Sequence, residues 1–134
     1  MSAVNGRVQA RIENDEFMVG SLSWSPDGRK LAFSSVVFGF GNGYAVNQIE
    51  TFDFRTRVRS KLLDVPAKYA AGNLLYSPDG RALLFDAFVD GDQIFVYEGT
   101  GVRTLVRGRS PAWLPGQQSL TFVRGRNVYA LGQR

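Results

Sequence analysis

The chain contains no cysteine and no histidine. Without thiols there are no disulfides and no thiolate metal sites, and without imidazole the commonest metal ligand and neutral-pH base is missing. Proline occurs five times, and no stretch approaches the run of about eighteen apolar residues that a membrane helix needs. The opening MSAVNGRVQARI lacks the apolar run of an export signal. The expectation is therefore no membrane partner, a cytoplasmic location if this N-terminus is native, and a periplasmic one if a leader has been removed. Three lysines and thirteen arginines give a formal charge of +4 spread along the length, with no basic block, so no nucleic-acid partner is expected. Apolar residues nowhere recur at helical spacing over ten or more positions, so almost no helix is expected.

What is present is glycine (15), phenylalanine (10) and a repeat. SLSWSPDGRKLAFSS from Ser21, NLLYSPDGRALLFDA from Asn73 and SPAWLPGQQSLTFVR from Ser110 align without gaps. In each, a short apolar run ends in an aromatic (Trp24, Tyr76, Trp113), a turn follows, and an alternating strand leaves it. Pro26 and Pro78 preset φ at the second turn position, while Asp27, Gly28, Asp79 and Gly80 supply side-chain capping and a permissive backbone. The role of these turn residues is structural. Third strands follow at IETFDF (49–54), IFVYEG (94–99) and NVYAL (127–131), and fourth strands at RVRSKL (57–62) and VRTLV (102–106).

A four-stranded antiparallel unit repeating every forty or so residues is a β-propeller blade. The aromatic, Ser-Pro-Asp-Gly, basic residue and apolar strand resemble the TolB-type repeat, the Pro-Asp relative of the WD repeat, over essentially the whole chain. The third copy has LPGQ in place of SPDG. The resemblance implies an all-β propeller fold and no single activity.

The third copy shows three strands, whereas residues 7–12, RVQARI, match the fourth strand RVRSKL in apolar and polar character. The expected organisation is one half-propeller unit over 1–134, with 7–12 an outer strand, 21–64 blade one, 73–108 blade two and 110–134 three strands of blade three. Three blades cannot close a ring, since propellers have roughly four to eight. The expected solution is a homodimer completing a six-bladed ring, in which Arg7, Val8, Gln9, Ala10, Arg11 and Ile12 of each copy finish the other's last blade. A segment of a larger propeller is the alternative.

The loops joining second to third strands, and one blade to the next, gather on one propeller face. There the expected ligand contacts are Phe38, Phe40, Asn42, Tyr44, Tyr69, Asp90, Asp92, Arg124 and Arg126. Phe38, Phe40 and Tyr44 lie among three glycines, an arrangement that fits either an aromatic contact loop or an extended hairpin. Asp90 and Asp92 resemble the start of a calcium loop but lack its further ligands, and no cofactor is expected. Arg55, Arg57 and Arg59 alternate and are expected along a solvated outer edge. No paired carboxylates or nucleophile with a base are visible. The expected function is a non-catalytic scaffold binding a protein or peptide, with a purely structural half-propeller and a calcium-dependent lactonase-like hydrolase as alternatives.

Overall fold

Each Ser-Pro-Asp-Gly turn and the alternating strand behind it nucleate one antiparallel sheet. The computed structural model describes residues 6–8, 11–13, 17–39, 44–115 and 119–132, which contain eleven strands in three sheets. Sheet one holds β1 (Met18–Trp24), β2 (Lys30–Phe38), β3 (Tyr44–Asp53) and β4 (Val58–Asp64). Sheet two holds β5 (Gly72–Tyr76), β6 (Leu83–Phe88), β7 (Asp92–Tyr97) and β8 (Val102–Arg107). Sheet three holds β9 (Arg109–Trp113), β10 (Leu120–Arg124) and β11 (Asn127–Leu131). Every neighbouring pair is antiparallel and follows chain order. No helix among the described residues is long and apolar enough to cross a membrane.

The sheets stack face to face. Ala32, Ile49 and Leu63 of sheet one meet Leu74, Leu83, Phe85 and Phe95 of sheet two in one buried cluster. Leu84 and Ile94, on the other face of sheet two, meet Leu120 and Phe122 of sheet three in a second. Period-two alternation explains the division, because Leu83 and Phe85 point one way and Leu84 the other. Sheet two is covered on both faces and reads as a continuous apolar run, Leu83-Leu84-Phe85. Gly108, between β8 and β9, has φ +146°, and a β-carbon there would stand 2.7 Å from the Phe122 ring and from the Val123 carbonyl oxygen.

Register fixes which residues correspond from sheet to sheet. Phe33 pairs with Glu50, Phe85 with Phe95 and Phe122 with Tyr129. Three boundaries differ from the sequence expectation. β3 begins at Tyr44 rather than near Ile49, β1 begins at Met18, and β4 runs to Asp64. The long β2–β3 hairpin is thus the extended one, its ladder running through Val36 and Val37 to Phe38 with a bulge between Val37 and Phe38. Arg7, Val8, Arg11 and Ile12 lie outside any strand of this chain, and Gln9 and Ala10 lie outside the described residues, as does the 116–118 part of the third turn.

Candidate functional site

The two Ser-Pro-Asp-Gly turns are superimposable in chemistry. In the first, the Ser25 hydroxyl donates to Asp27 Oδ1 at 2.6 Å, which also accepts from Arg29 N at 3.0 Å, while Lys30 N donates to Ser25 Oγ at 3.0 Å. In the second, Ser77, Asp79, Arg81 and Ala82 repeat these bonds at 2.7, 3.0 and 3.0 Å. Gly28 and Gly80 close the turns with φ of +73° and +75°. The Ser25 hydroxyl bond, and then the Arg29 amide, hold the Asp27 carboxyl below its usual range. At Asp79 the Arg81 amide leads and the Ser77 hydroxyl follows. The two serines belong to the motif as fully as the aspartates, and their recurrence in both copies was the available signal. Trp24 packs against Phe54 at 5.0 Å, and Tyr76 and Trp113 are half-buried at the equivalent places.

At the opposite ends of the strands the sheets present aromatics. Phe38 and Tyr44 meet edge to face across the β2–β3 hairpin, with centroids 6.2 Å apart. Tyr69, on the link from sheet one to sheet two, meets Phe88 at the end of β6 in the same way at 6.4 Å. The two pairs are tied together, because Tyr44 N donates to Lys68 O at 2.9 Å. Asn47 pins the link from below, its Nδ2 donating to Ala67 O at 2.9 Å and Tyr69 O at 2.6 Å. A cleft of about 560 Å3 opens between the 66–69 link and Phe88, Val89 and Asp90. Phe38, Tyr69 and Phe88 are all exposed. Phe40 and Asn42 lie outside the described residues. Phe88 opens the expected loop segment 88–92 and Asn47 closes the segment 36–47, but neither was among the expected contacts.

Of the charged candidates, Asp90 lines this cleft and the others are engaged elsewhere. Asp90 adopts φ 51° in a turn and its carbonyl accepts from Arg107 Nη1 at 2.8 Å. Asp92 Oδ2 lies 3.7 Å from Arg109 Nη1. Arg124 donates to Arg107 O at 3.1 Å and spreads over the Phe122 and Tyr129 rings at 5.5 and 5.1 Å. Arg126 is exposed in the β10–β11 turn, so both arginines belong to the third sheet's hairpin rather than to the aromatic pairs. Among the described residues no three acidic side chains come together as a metal cluster.

The inner strands are stitched by side chains. Ser21 and Ser23 hydroxyl oxygens accept from Leu74 N and Tyr76 N at 3.0 and 3.1 Å, and Asp86 Oδ2 accepts from Asn73 Nδ2 and Ser110 N, both at 2.7 Å. Asp86 thus joins sheet two to sheet three without a ladder bond.

The expected outer row of arginines is corrected. Arg55 and Arg57 occupy the β3–β4 turn, but Arg59 turns onto the open face of sheet one. Its Nε and Nη2 grip the Glu50 carboxylate, each at 2.7 Å, and its guanidinium lies 5.4 Å over the Phe33 ring. Burial alone would raise the Glu50 carboxyl, but the Arg59 bonds hold it below the usual range. A buried carboxylate opposite a phenylalanine needs this partner, which is why the alternating pattern alone misplaced Arg59. The N-terminal segment reaches the same face. Arg59 Nη1 donates to Glu13 O at 2.8 Å, and Ile12 joins Val19, Leu22, Leu31 and Phe33 around a depression of about 170 Å3.

No family model matches the chain, and no curated protein matches it significantly in sequence. Solved structures share its fold. TolB from Acinetobacter baumannii superposes on 83% of the chain with a TM-score of 0.62 at 20% identity. An oligogalacturonate lyase in complex with manganese gives 0.67 over 90% at 19% identity. The fold is that of the TolB-like β-propellers. The β-propeller domain of the Trilobed protease from Pyrococcus furiosus, which has an open velcro topology, gives 0.56 over 86% at 22% identity. The chain spans 29%, 36% and 41% of those three chains, and likeness at this identity extends to fold and not to activity.

Proposed function

We propose that this propeller segment is a non-catalytic binding scaffold, that its loop face takes a protein or peptide, and that a second copy completes its ring. The observation that carries the binding reading is the two edge-to-face aromatic contacts, exposed Phe38 with half-buried Tyr44 and exposed Tyr69 with exposed Phe88, joined through the Tyr44–Lys68 backbone bond. Rigid rings beside a cleft bury large area at low entropic cost, the usual composition of a peptide contact. Peptides selected on the wild-type chain from a phage-displayed library should lose affinity roughly tenfold or more on Tyr69→Ala or Phe88→Ala. Undiminished affinity in both variants would remove the loop face from the reading.

The ring reading is supported by Ile12. It lines one depression with Leu31 and Phe33 where, one repeat on, Leu62 of β4 packs on the cluster containing Leu83 and Phe85. Ile12 thus lies beside sheet one at the place that the end of a preceding blade's fourth strand would take, and the outer edge of β11 carries no strand among the described residues. In the proposed dimer the 7–12 strand of one copy pairs with β11 of the other. Light scattering at micromolar concentration should return twice the chain mass, and a folded species of single mass would exclude the dimer. Because the chain covers only about a third of TolB and the lyase, a segment of a larger propeller is the second reading, and single mass favours it.

A further inference from the structure

We infer that the open face of sheet one is a seat for sheet three of a second copy, with Val128 of one copy entering the depression lined by Leu22, Leu31 and Phe33 of the other. The inference rests on the ring reading and specifies which faces close it. Its basis is that the two sheet-to-sheet interfaces inside the chain use the same positions, and the two outward faces carry the unused halves.

On the donating side, Ile49 pairs with Ser34, Ile94 with Asp86 and Val128 with Val123, so these three occupy one position in successive sheets. Ile49 and Ile94 are each 0% exposed, packed on the following sheet, whereas Val128 is 73% exposed. On the receiving side, Trp24 pairs with Leu31, Tyr76 with Leu83 and Trp113 with Leu120, which aligns Leu22 with Leu74 and Pro111. Leu74 is 5% exposed within the cluster that contains Ile49, and Pro111 is buried, but Leu22 is 59% exposed. Each internal Leu-x-Phe face, Leu83 with Phe85 and Leu120 with Phe122, receives the preceding sheet. Leu31 and Phe33 present the same face, where Ile12 joins them around the depression and the Arg59 guanidinium covers the Phe33 ring, so that Phe33 is 3% exposed and Leu22 is the open member. An aliphatic side chain is therefore missing a cover at each end of the stack, Val128 at one and Leu22, at the rim of the depression, at the other. Because the two faces differ, the contact is head to tail, and two copies related by a two-fold axis satisfy both ends at once.

The experiment uses the full chain carrying Leu22→Asp or Val128→Lys. Each variant alone places an unpaired charge against an apolar face at both contacts, and the dimer dissociation constant should rise by roughly a hundredfold or more. Mixed in equal amounts, the two variants form a heterodimer in which one contact sets the introduced carboxylate against the introduced ammonium and the other is wild type, so dimer mass should return. Recovery on mixing also shows that the variants fold. A wild-type chain of single mass overturns the ring reading and the seat with it. A dimeric wild type whose single variants stay dimeric, or fail to recover on mixing, overturns the seat and leaves the ring reading standing. The chain has no cysteine, so Val128→Cys gives an independent measurement that needs no charged variant. Its thiol should react slowly with a maleimide when the chain is concentrated and quickly on dilution, and fast reaction in a sample of dimer mass overturns the seat.

Discussion

β7 and β11 are third strands of adjacent sheets, one reading DQIFVY and the other NVYAL, with similar apolar content and the same cross-strand register. Ile94, Phe95 and Val96 of β7 are buried, and every residue of β11 is exposed. The difference lies in their neighbours. β7 has β8 beside it and sheets on both faces, while β11 has β10 on one side and no strand on the other among the described residues. Burial here belongs to the position in the stack and not to the strand that occupies it.

The sharpest way to break that comparison is to truncate equivalent residues. Ile94→Ala removes buried volume between sheets two and three and should cost about 3 kcal/mol in urea unfolding, whereas Val128→Ala in the isolated chain should cost under about 0.5 kcal/mol. Equal costs in dilute protein would contradict the contrast. A Val128→Ala cost that grows with protein concentration would sharpen it, since it would mark β11 as covered by another copy.

Next in size is Arg59. Arg59→Ala strands the Glu50 carboxylate on a face built around Phe33, and stability should fall by about 2 kcal/mol. The double change Arg59→Met with Glu50→Leu should recover most of it, and no recovery would mean that the pair does more than satisfy its own charge. Smaller again is Asp79→Ala, which frees the Arg81 amide and the Ser77 hydroxyl. Asp27→Ala makes the same break in sheet one, and because the two turns have the same bonds, the two losses should match. A clear inequality would show that the sheet around the turn, and not the turn, sets its contribution.

The smallest effect is in pH. Asp27, Asp79 and Asp53 are held low, the last by the Arg55 and Thr56 amides, and Glu50 by Arg59 against its burial. A carboxyl lowered on folding stabilises the fold at all pH above its unfolded value, about 3.9 for Asp. That contribution is lost as pH falls through the lower folded values. Urea midpoints should be flat from pH 8 to 5, as befits a chain without histidine, and should fall below about pH 4. Asp27→Asn with Asp79→Asn should flatten part of that fall.

Much of the fold was legible because its determinants are local. Pro26, Asp27 and Gly28 specify a turn through φ preference and side-chain bonds within five residues, and Leu31 and Phe33 specify a face through period-two alternation. The strands, their order and the all-β class follow from those rules alone. Loop-face aromatics Phe38, Tyr44 and Tyr69 were legible as candidate contact rings in glycine-rich or linking segments. Phe88 was legible as the first residue of the loop 88–92 but not as a contact, because its run, LLFDAF, reads as core to its last residue. The Arg59–Glu50 grip was not legible, since it joins two strands diagonally and alternation cannot tell a solvated arginine from one drawn in by a buried carboxylate.

The sequence by itself determined the turns, the strand alternation and the three-fold recurrence of one sheet, because these depend on backbone preferences and on contacts a few residues apart. Only the tertiary structure decided which face of each sheet is covered, why Ile49 and Ile94 vanish from solvent while Val128 does not, and where Ile12 comes to rest. Those outcomes depend on apolar area removed from water by whatever stands alongside, a quantity that belongs to pairs of surfaces and is written in neither one alone.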